Sequence, residues 1–164
     1  MEQWNLYNRQ GEQTEKIHVR GEPIPPGYYH MVVHIWFRDE EGRFLIQQRA
    51  RTLDAHPGVW ATTGGSATVG ESSVEAVIRE TAEELELNLV PEDLQLINRL
   101  WRRDYFVDLY LADVHAGFAH DFRSSPEVDA VAFKSPSELA RMIEAGTFFR
   151  YAYDIFDELG IRGS

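Results

Sequence analysis

Glu80, Glu83 and Glu84 are the residues whose type and spacing point most directly to chemistry. On a helix, positions i, i+3 and i+4 face the same way, so the three carboxylates gather within one turn. Like charges at that spacing cost roughly a few tenths of a kcal/mol per pair. Little offsets them: from Ser72 to Leu100 the cations are Arg79 and Arg99 alone. One reading is a solvated acidic face. The other is a site for a hard divalent cation, because Mg²⁺ takes oxygen ligands together with substrate phosphates.

A helix must carry these residues. Glu71 to Leu87 contains no Gly or Pro, and its Glu, Ala and Leu favour helix. Val74, Val77, Ile78, Thr81 and Leu85 share a mostly apolar face at the helical period, away from the carboxylates. A glycine pair, Gly64-Gly65, and a short loop lead into it. Before the pair, Tyr29 to Phe37 reads as a strand buried on both faces. Arg38 to Gly42 is a turn, Arg43 to Arg49 a returning strand, and Asp54 to Gly58 a loop. After the helix, Leu94 to Trp101 and Tyr105 to Ala112 read as a strand pair, and Val128 to Phe133 as another strand. Ser135-Pro136-Ser137-Glu138 carries the signature of a helix start, with Leu139, Met142 and Ile143 on the apolar face. Thr147 reads as the cap of a last helix running through Tyr151, Ile155 and Phe156 to Gly160. At the other end, Trp4 to Asn8 and Lys16 to Arg20 form a hairpin, expected to lie as a lid or edge on the main sheet. This order of elements predicts an α/β fold, a mixed sheet with helices on both sides.

Composition narrows the function. The 164 residues fit one domain, 1–164, with a hairpin and loop over 1–28 and the core over 29–164. No apolar run is long enough to span a membrane, and the polar start lacks the apolar core of a secretory signal, so a cytoplasmic location is expected. The absence of cysteine excludes a thiol nucleophile and zinc-thiolate sites. A net charge of −11 repels nucleic-acid polymers at long range. If the substrate is a small-molecule diphosphate, metal ions must supply most of the local positive charge.

From the glycine pair onward the spacing resembles the Nudix box. Gly65, five residues, Glu71, seven residues, Arg79-Glu80, two residues, then Glu83-Glu84 puts six fixed positions in register. Thr81 stands where an aliphatic is usual and Glu86 where a glycine is usual. The second departure leaves the turn after the helix to be made another way, with Asn88 able to take a left-handed conformation. The resemblance covers roughly Tyr29 to Ile143. It implies an α/β/α sandwich and metal-dependent hydrolysis of a diphosphate linked to another group. Carried over by position, Glu80, Glu83 and Glu84 would hold Mg²⁺ or Mn²⁺, with the carbonyl of Gly64 as a further ligand. Glu71 and Arg79 would form a structural ion pair, and Glu75, at i, i+4 from Arg79, could share it. Glu83 and Glu84 are candidates to accept a proton from water. Glu127, where many relatives place a carboxylate from a later loop, is a fourth ligand or alternative base; an exposed loop glutamate is the plainer reading.

A closer likeness lies within the same superfamily. Pro57 to Trp60, Gly70 to Ser72, Glu75 to Glu80 and the strand from Tyr29 to Phe37 resemble the isopentenyl-diphosphate-isomerase branch. Of the residues that branch uses, His30 matches a metal-binding histidine, but Gly64 stands at the catalytic cysteine and Ser66 at a second histidine. The expected activity is therefore a pyrophosphohydrolase acting on a nucleoside diphosphate derivative or a related small phosphoanhydride. An isoprenoid diphosphate isomerase using other acids and a catalytically silent nucleotide- or metal-sensing module are the alternatives. Trp60, Trp101, Tyr105 and Phe106 could stack a base, and Arg49, Arg51, Arg102 and Arg103 could bind phosphate. Core packing and surface salt bridges are the plainer readings of these groups, and a hydrogen-bonded core position is the plainer reading of His30 and His34. Homodimerisation, common in the family, leaves no mark in the sequence.

Overall fold

The computed structural model describes residues 1–161, so the last three of the expected 1–164 domain lie outside the described residues. The strands are β1 (Gln3–Tyr7), β2 (Gln13–Val19), β3 (His30–Arg38), β4 (Phe44–Arg49), β5 (Trp60–Ala61), β6 (Thr63–Ser66), β7 (Gln95–Trp101), β8 (Tyr105–Asp113) and β9 (Val128–Lys134). The helices are α1 (Ser73–Leu85), between β6 and β7, then α2 (Pro136–Ala145) and α3 (Ile155–Glu158) after β9.

The main sheet has seven strands, ordered β5-β4-β3-β8-β7, with β6 also on β3 and β9 also on β4. β3 and β8 run parallel along their whole length, from His30 opposite Tyr105 to Arg38 opposite Asp113, while their other neighbours are antiparallel. Alternation along β3 feeds two cores. Met31, Val33, Ile35 and Phe37 pack under α1, whereas Trp36 faces α2, α3 and the C-terminal segment. The result is the expected mixed sheet with helices on both faces.

The strands splay where the site lies. β3 and β4 pair only at Phe37–Leu45 and Arg38–Phe44. Beyond that, β6 takes the edge of β3 from Val32 to Ile35, and β5 pairs with β4 at Gln47 and Gln48. The chain crosses the gap at Thr62. Its hydroxyl donates to the Ile35 carbonyl at 2.5 Å and its N–H to Tyr151 Oη at 2.9 Å.

α1 forms where the periodicity places it. Ser72 caps it, and Ser72 and Glu75 complete a reciprocal capping box. Val77, Thr81 and Leu85 are buried against β3, with Val74 and Ile78 beside them. Burying Val77 and Leu85 contributes about 1.5–3 kcal/mol each. The helix ends with Glu86 itself in the left-handed region, φ 58° and ψ 34°, so this residue, rather than Asn88, makes the turn.

The N-terminal hairpin is a separate two-stranded sheet at the start of β3. Tyr7 and Tyr29 exchange both backbone hydrogen bonds, at 2.8 and 3.0 Å. Asn5 Oδ1 accepts the N–H of Gly70 at 2.8 Å, which ties the loop before α1 to the hairpin.

The last helix is shorter than expected. Thr147 does not open it; its hydroxyl donates to Met142 O at 3.2 Å and helps close α2. Residues 147–149 run beside β5, with Trp60 N–H donating to Thr147 O at 3.0 Å and Phe149 N–H to Trp60 O at 2.8 Å. Asp154 then caps the single turn of α3.

Candidate active site

Glu80 and Glu84 project from α1 towards β6 and are buried, at 9% and 6% exposure. Glu84 Oε1 accepts from Gln47 Nε2 at 2.9 Å and from Gly64 N–H at 3.4 Å. Gly65 lies against Glu80: a Cβ there would come within 2.6 Å of the carboxyl carbon. The two carboxyl groups face each other closely enough to interact directly. Burial raises the pKa of both, and for Glu84 the charge of Glu80 raises it further.

Arg79 fixes this arrangement. Its Nε donates to Glu71 Oε2 at 2.5 Å, and its Nη2 to Glu71 Oε1 at 3.0 Å and to Ser66 O at 3.1 Å. Its Nη1 reaches Glu80 and Glu83, each at 3.1 Å. Burial works against the Glu71 carboxylate, but hydrogen bonds from Arg79 and Thr68 overcome it and hold its pKa below the usual range. Glu75 does not share Arg79, because the capping box turns its carboxylate to Ser72 N–H at 3.0 Å. Glu83 is half exposed. Its Oε2 accepts from Arg79, and among the described residues no three acidic or histidine side chains already converge in a ligating arrangement. The donor set nonetheless suits a hard cation. Burial opposes the charge on two of the carboxylates, a third sits one turn away and half exposed, and all are oxygen donors.

These groups line a cleft of about 400 Å³, which Glu127 and Arg49 also line. Glu127 is exposed in the loop before β9, close enough for its charge to raise the Glu84 pKa. Arg49 is anchored by Nε and Nη2 to Ala55 O, at 3.1 and 2.9 Å. The hairpin contributes Glu2 and Arg20 to the same cleft. Other sequence candidates lie elsewhere. Arg51 is exposed and off the cleft, its backbone N–H bonded to Asp129. Trp60 packs with the second core beside Phe148. His30 stacks on Trp4 at 4.1 Å, its Nδ1 is buried without a hydrogen-bond partner, and burial lowers its pKa to about 4. Trp101 packs against Tyr29 and Phe106, and Arg102 is engaged by Ala152 O.

The family model of the NUDIX domain matches residues 28–153. The chain belongs to the Nudix family. A Nudix hydrolase of Listeria innocua is 32% identical over 159 residues, 93% of this chain and 91% of that protein. The isopentenyl-diphosphate Δ-isomerase of Streptomyces coelicolor is 32% identical over 139 residues, 81% of this chain and 71% of that one. A crystal structure of a Deinococcus radiodurans protein shares the fold, with a TM-score of 0.74, 98% coverage of both chains and 20% identity. This Nudix protein is thereby a pyrophosphohydrolase by family, a diphosphate-bond hydrolase. Among its described residues no helix is long and apolar enough to cross a membrane.

In this Nudix chain a smaller pocket of about 150 Å³ adjoins the carboxylate cleft and shares Gln47, Arg49, Gly64, Gly65 and Glu84 with it. Its other walls include His34, Phe149 and Tyr151. Neither Phe149 nor Tyr151 belongs to the motif that marks the site in the sequence. The available signal was the density of aromatics in Phe148, Phe149, Tyr151 and Tyr153, more than a one-turn helix needs. His34 lies on β3 opposite Gly64, and burial lowers its pKa to about 4.

Proposed function

We propose that this protein is a Mg²⁺- or Mn²⁺-dependent pyrophosphohydrolase cleaving the diphosphate of a nucleoside diphosphate derivative or a related small phosphoanhydride. The observation that carries the proposal is the buried Glu80–Glu84 pair, whose charged forms are opposed by burial and would be stabilised by a cation between them. Glu80, Glu83, Glu84 and the Gly64 carbonyl are the groups that would hold the ion. When bound, it would neutralise phosphate charge and acidify water.

The remaining roles fall to the chain itself. Arg79 holds Glu71, Glu80 and Glu83 in one array and ties it to the glycine loop through Ser66 O. Gln47 and Gly64 N–H orient the Glu84 carboxyl. Glu83 and Glu127 reach solvent in the cleft, so either carboxylate can accept a proton from an attacking water. Arg49, with its guanidinium pinned at one edge, can face a phosphate with the other.

Isomerase chemistry has weaker support. A side chain at Gly64, where the isomerase branch carries its cysteine, would meet the Val33 carbonyl and come within 2.7 Å of the His34 ring. The test is phosphate and pyrophosphate release from nucleoside triphosphates, nucleotide sugars, dinucleotides and prenyl diphosphates with Mg²⁺ or Mn²⁺. Glu83→Gln and Glu84→Gln run alongside. Metal-dependent turnover of one class, lost in both variants, supports the reading. Folded wild type that binds metal yet turns over nothing, or that isomerises isopentenyl diphosphate, rejects it.

A further inference from the structure

The side pocket carries a polar group whose orientation is set from outside the cleft. His34 Nδ1 lies 2.9 Å from Tyr153 Oη, and Trp36 Nε1 lies 3.4 Å from the same oxygen. An indole N–H can only donate, so Trp36 occupies Tyr153 as an acceptor. The Tyr153 proton then needs an acceptor, and His34 Nδ1 is its hydrogen-bond partner. A neutral imidazole that accepts at Nδ1 carries its proton on Nε2. His34 Nε2 has no partner among the described residues, and it is not among their buried unpartnered atoms, so it is open to the pocket its ring lines.

Two neighbours add to this. Tyr151 Oη accepts the Thr62 N–H, which leaves its own proton to give. Arg49 spends Nε and Nη2 on Ala55 O and keeps Nη1. By contrast, the Gln47 amide is engaged by Glu84 and Thr63. Alongside the Glu84 carboxyl, His34, Tyr151 and Arg49 thus present donors to the pocket, and Phe149 supplies an aromatic wall.

We propose that His34 is a specificity-determining residue, whose Nε2–H donates to an acceptor atom on the leaving group of the substrate. The side pocket would then select a planar heterocycle with ring carbonyl or ring nitrogen acceptors, a nucleobase, over an apolar chain. Unpaired donors in such a pocket reject a ligand that lacks acceptors. Tyr153 is the positioning residue that fixes the His34 tautomer. This deepens the hydrolase reading and rests on it for the diphosphate that the base would accompany.

The experiment is metal-free titration of ¹⁵N-histidine-labelled protein with the four common nucleoside monophosphates, and with dimethylallyl monophosphate as the apolar control. The wild type should show His34 as the Nε2–H tautomer, bind at least one nucleotide more tightly than the control, and shift the Nε2 signal on binding. His34→Leu should weaken that affinity by about 5- to 30-fold, the loss of roughly one to two hydrogen bonds. His34→Gln, which can still donate, should retain most of it. Tyr153→Phe should lose the single tautomer. An Nδ1–H tautomer, no nucleotide binding by folded wild type, equal affinity for the prenyl control, or folded variants at His34 with unchanged affinity overturns the proposal. Nucleotide binding through His34 without diphosphate cleavage would sink the hydrolase reading alone. Cleavage indifferent to His34 would sink this one alone.

Discussion

Helix α1 holds a charged centre near each end, and the two are built in opposite ways. Near its start, Asp108 on β8 is 1% exposed in its side chain, yet every demand it makes is met. Arg99 reaches it with two nitrogens, at 2.7 and 3.0 Å, and Ser73 donates its hydroxyl at 2.6 Å. Near its end, Glu80 and Glu84 are almost as buried, but the one cation there, Arg79, reaches Glu80 and not Glu84 and also serves Glu71 and Glu83. A satisfied buried charge fixes structure; an unsatisfied pair stores a demand that a ligand can meet. The first centre joins α1 to the sheet. The second leaves room for what the protein binds.

The largest expected effect breaks the first centre. Asp108→Ala strands a partly buried guanidinium, and denaturant unfolding should show a loss of about 3–5 kcal/mol. Next, Glu84→Gln should lower kcat/KM by at least about 100-fold, from the loss of roughly 3 kcal/mol in transition-state stabilisation. Its metal-free stability at pH 8 should stay level or rise, because one of two opposed charges is gone. Loss of stability on the scale of Asp108→Ala would erase the distinction between the centres.

Acidity separates them further. Burial raises Glu80 from 4.5 to about 7 and raises Glu84 as well. The folded state therefore binds protons more tightly than the unfolded chain. This contribution is present at low pH and is lost as pH rises towards and through 7. Burial lowers His30 and His34 to about 4, and their contribution runs the other way, lost as pH falls from about 6.5 towards 4. The trends oppose each other in overall stability. The difference with and without Mg²⁺ isolates the carboxylates, and it should grow from pH 5 to 8 by about 1–3 kcal/mol.

The smallest effects come from the two departures from the family pattern, and both should be gains. Thr81 is fully buried and its Oγ1 has no partner, so Thr81→Val should add about 1 kcal/mol in thermal or denaturant unfolding. Glu86 sits at φ 58°, and Glu86→Gly should add about 0.5–1 kcal/mol. Neither should alter the response to metal, which keeps stability and function separable along one helix.

Local pattern made α1 readable from sequence. Ser72 and Glu75 cap it, Val77 and Leu85 face the core, and the carboxylates fall on one turn. The strands were readable for the same reason, since the apolar run from Tyr29 to Phe37 gives β3, with Met31, Val33 and Ile35 to Phe37 buried, and the pair around Arg102 forms β7 and β8. What escaped was set at long range. The parallel pairing of β3 with β8 joins residues 75 positions apart, from His30 opposite Tyr105 to Arg38 opposite Asp113, and no local signal marks it. Thr147 has the chemistry of a helix cap, but Met142 O and the backbone of Trp60 claim that stretch first. That competition turns Phe149 and Tyr151 to the side of the carboxylate cleft, while Trp60, an obvious aromatic in sequence, goes to the core.

The central claim is that the Glu80–Glu84 pair is held for a cation. It is tested most directly by unfolding wild type and Glu84→Gln side by side at pH 8, with and without Mg²⁺. Wild type should gain about 2–3 kcal/mol once Mg²⁺ is roughly 100-fold above its Kd, and the variant should gain little at the same concentration. Equal gains, or none in either, would contradict the account.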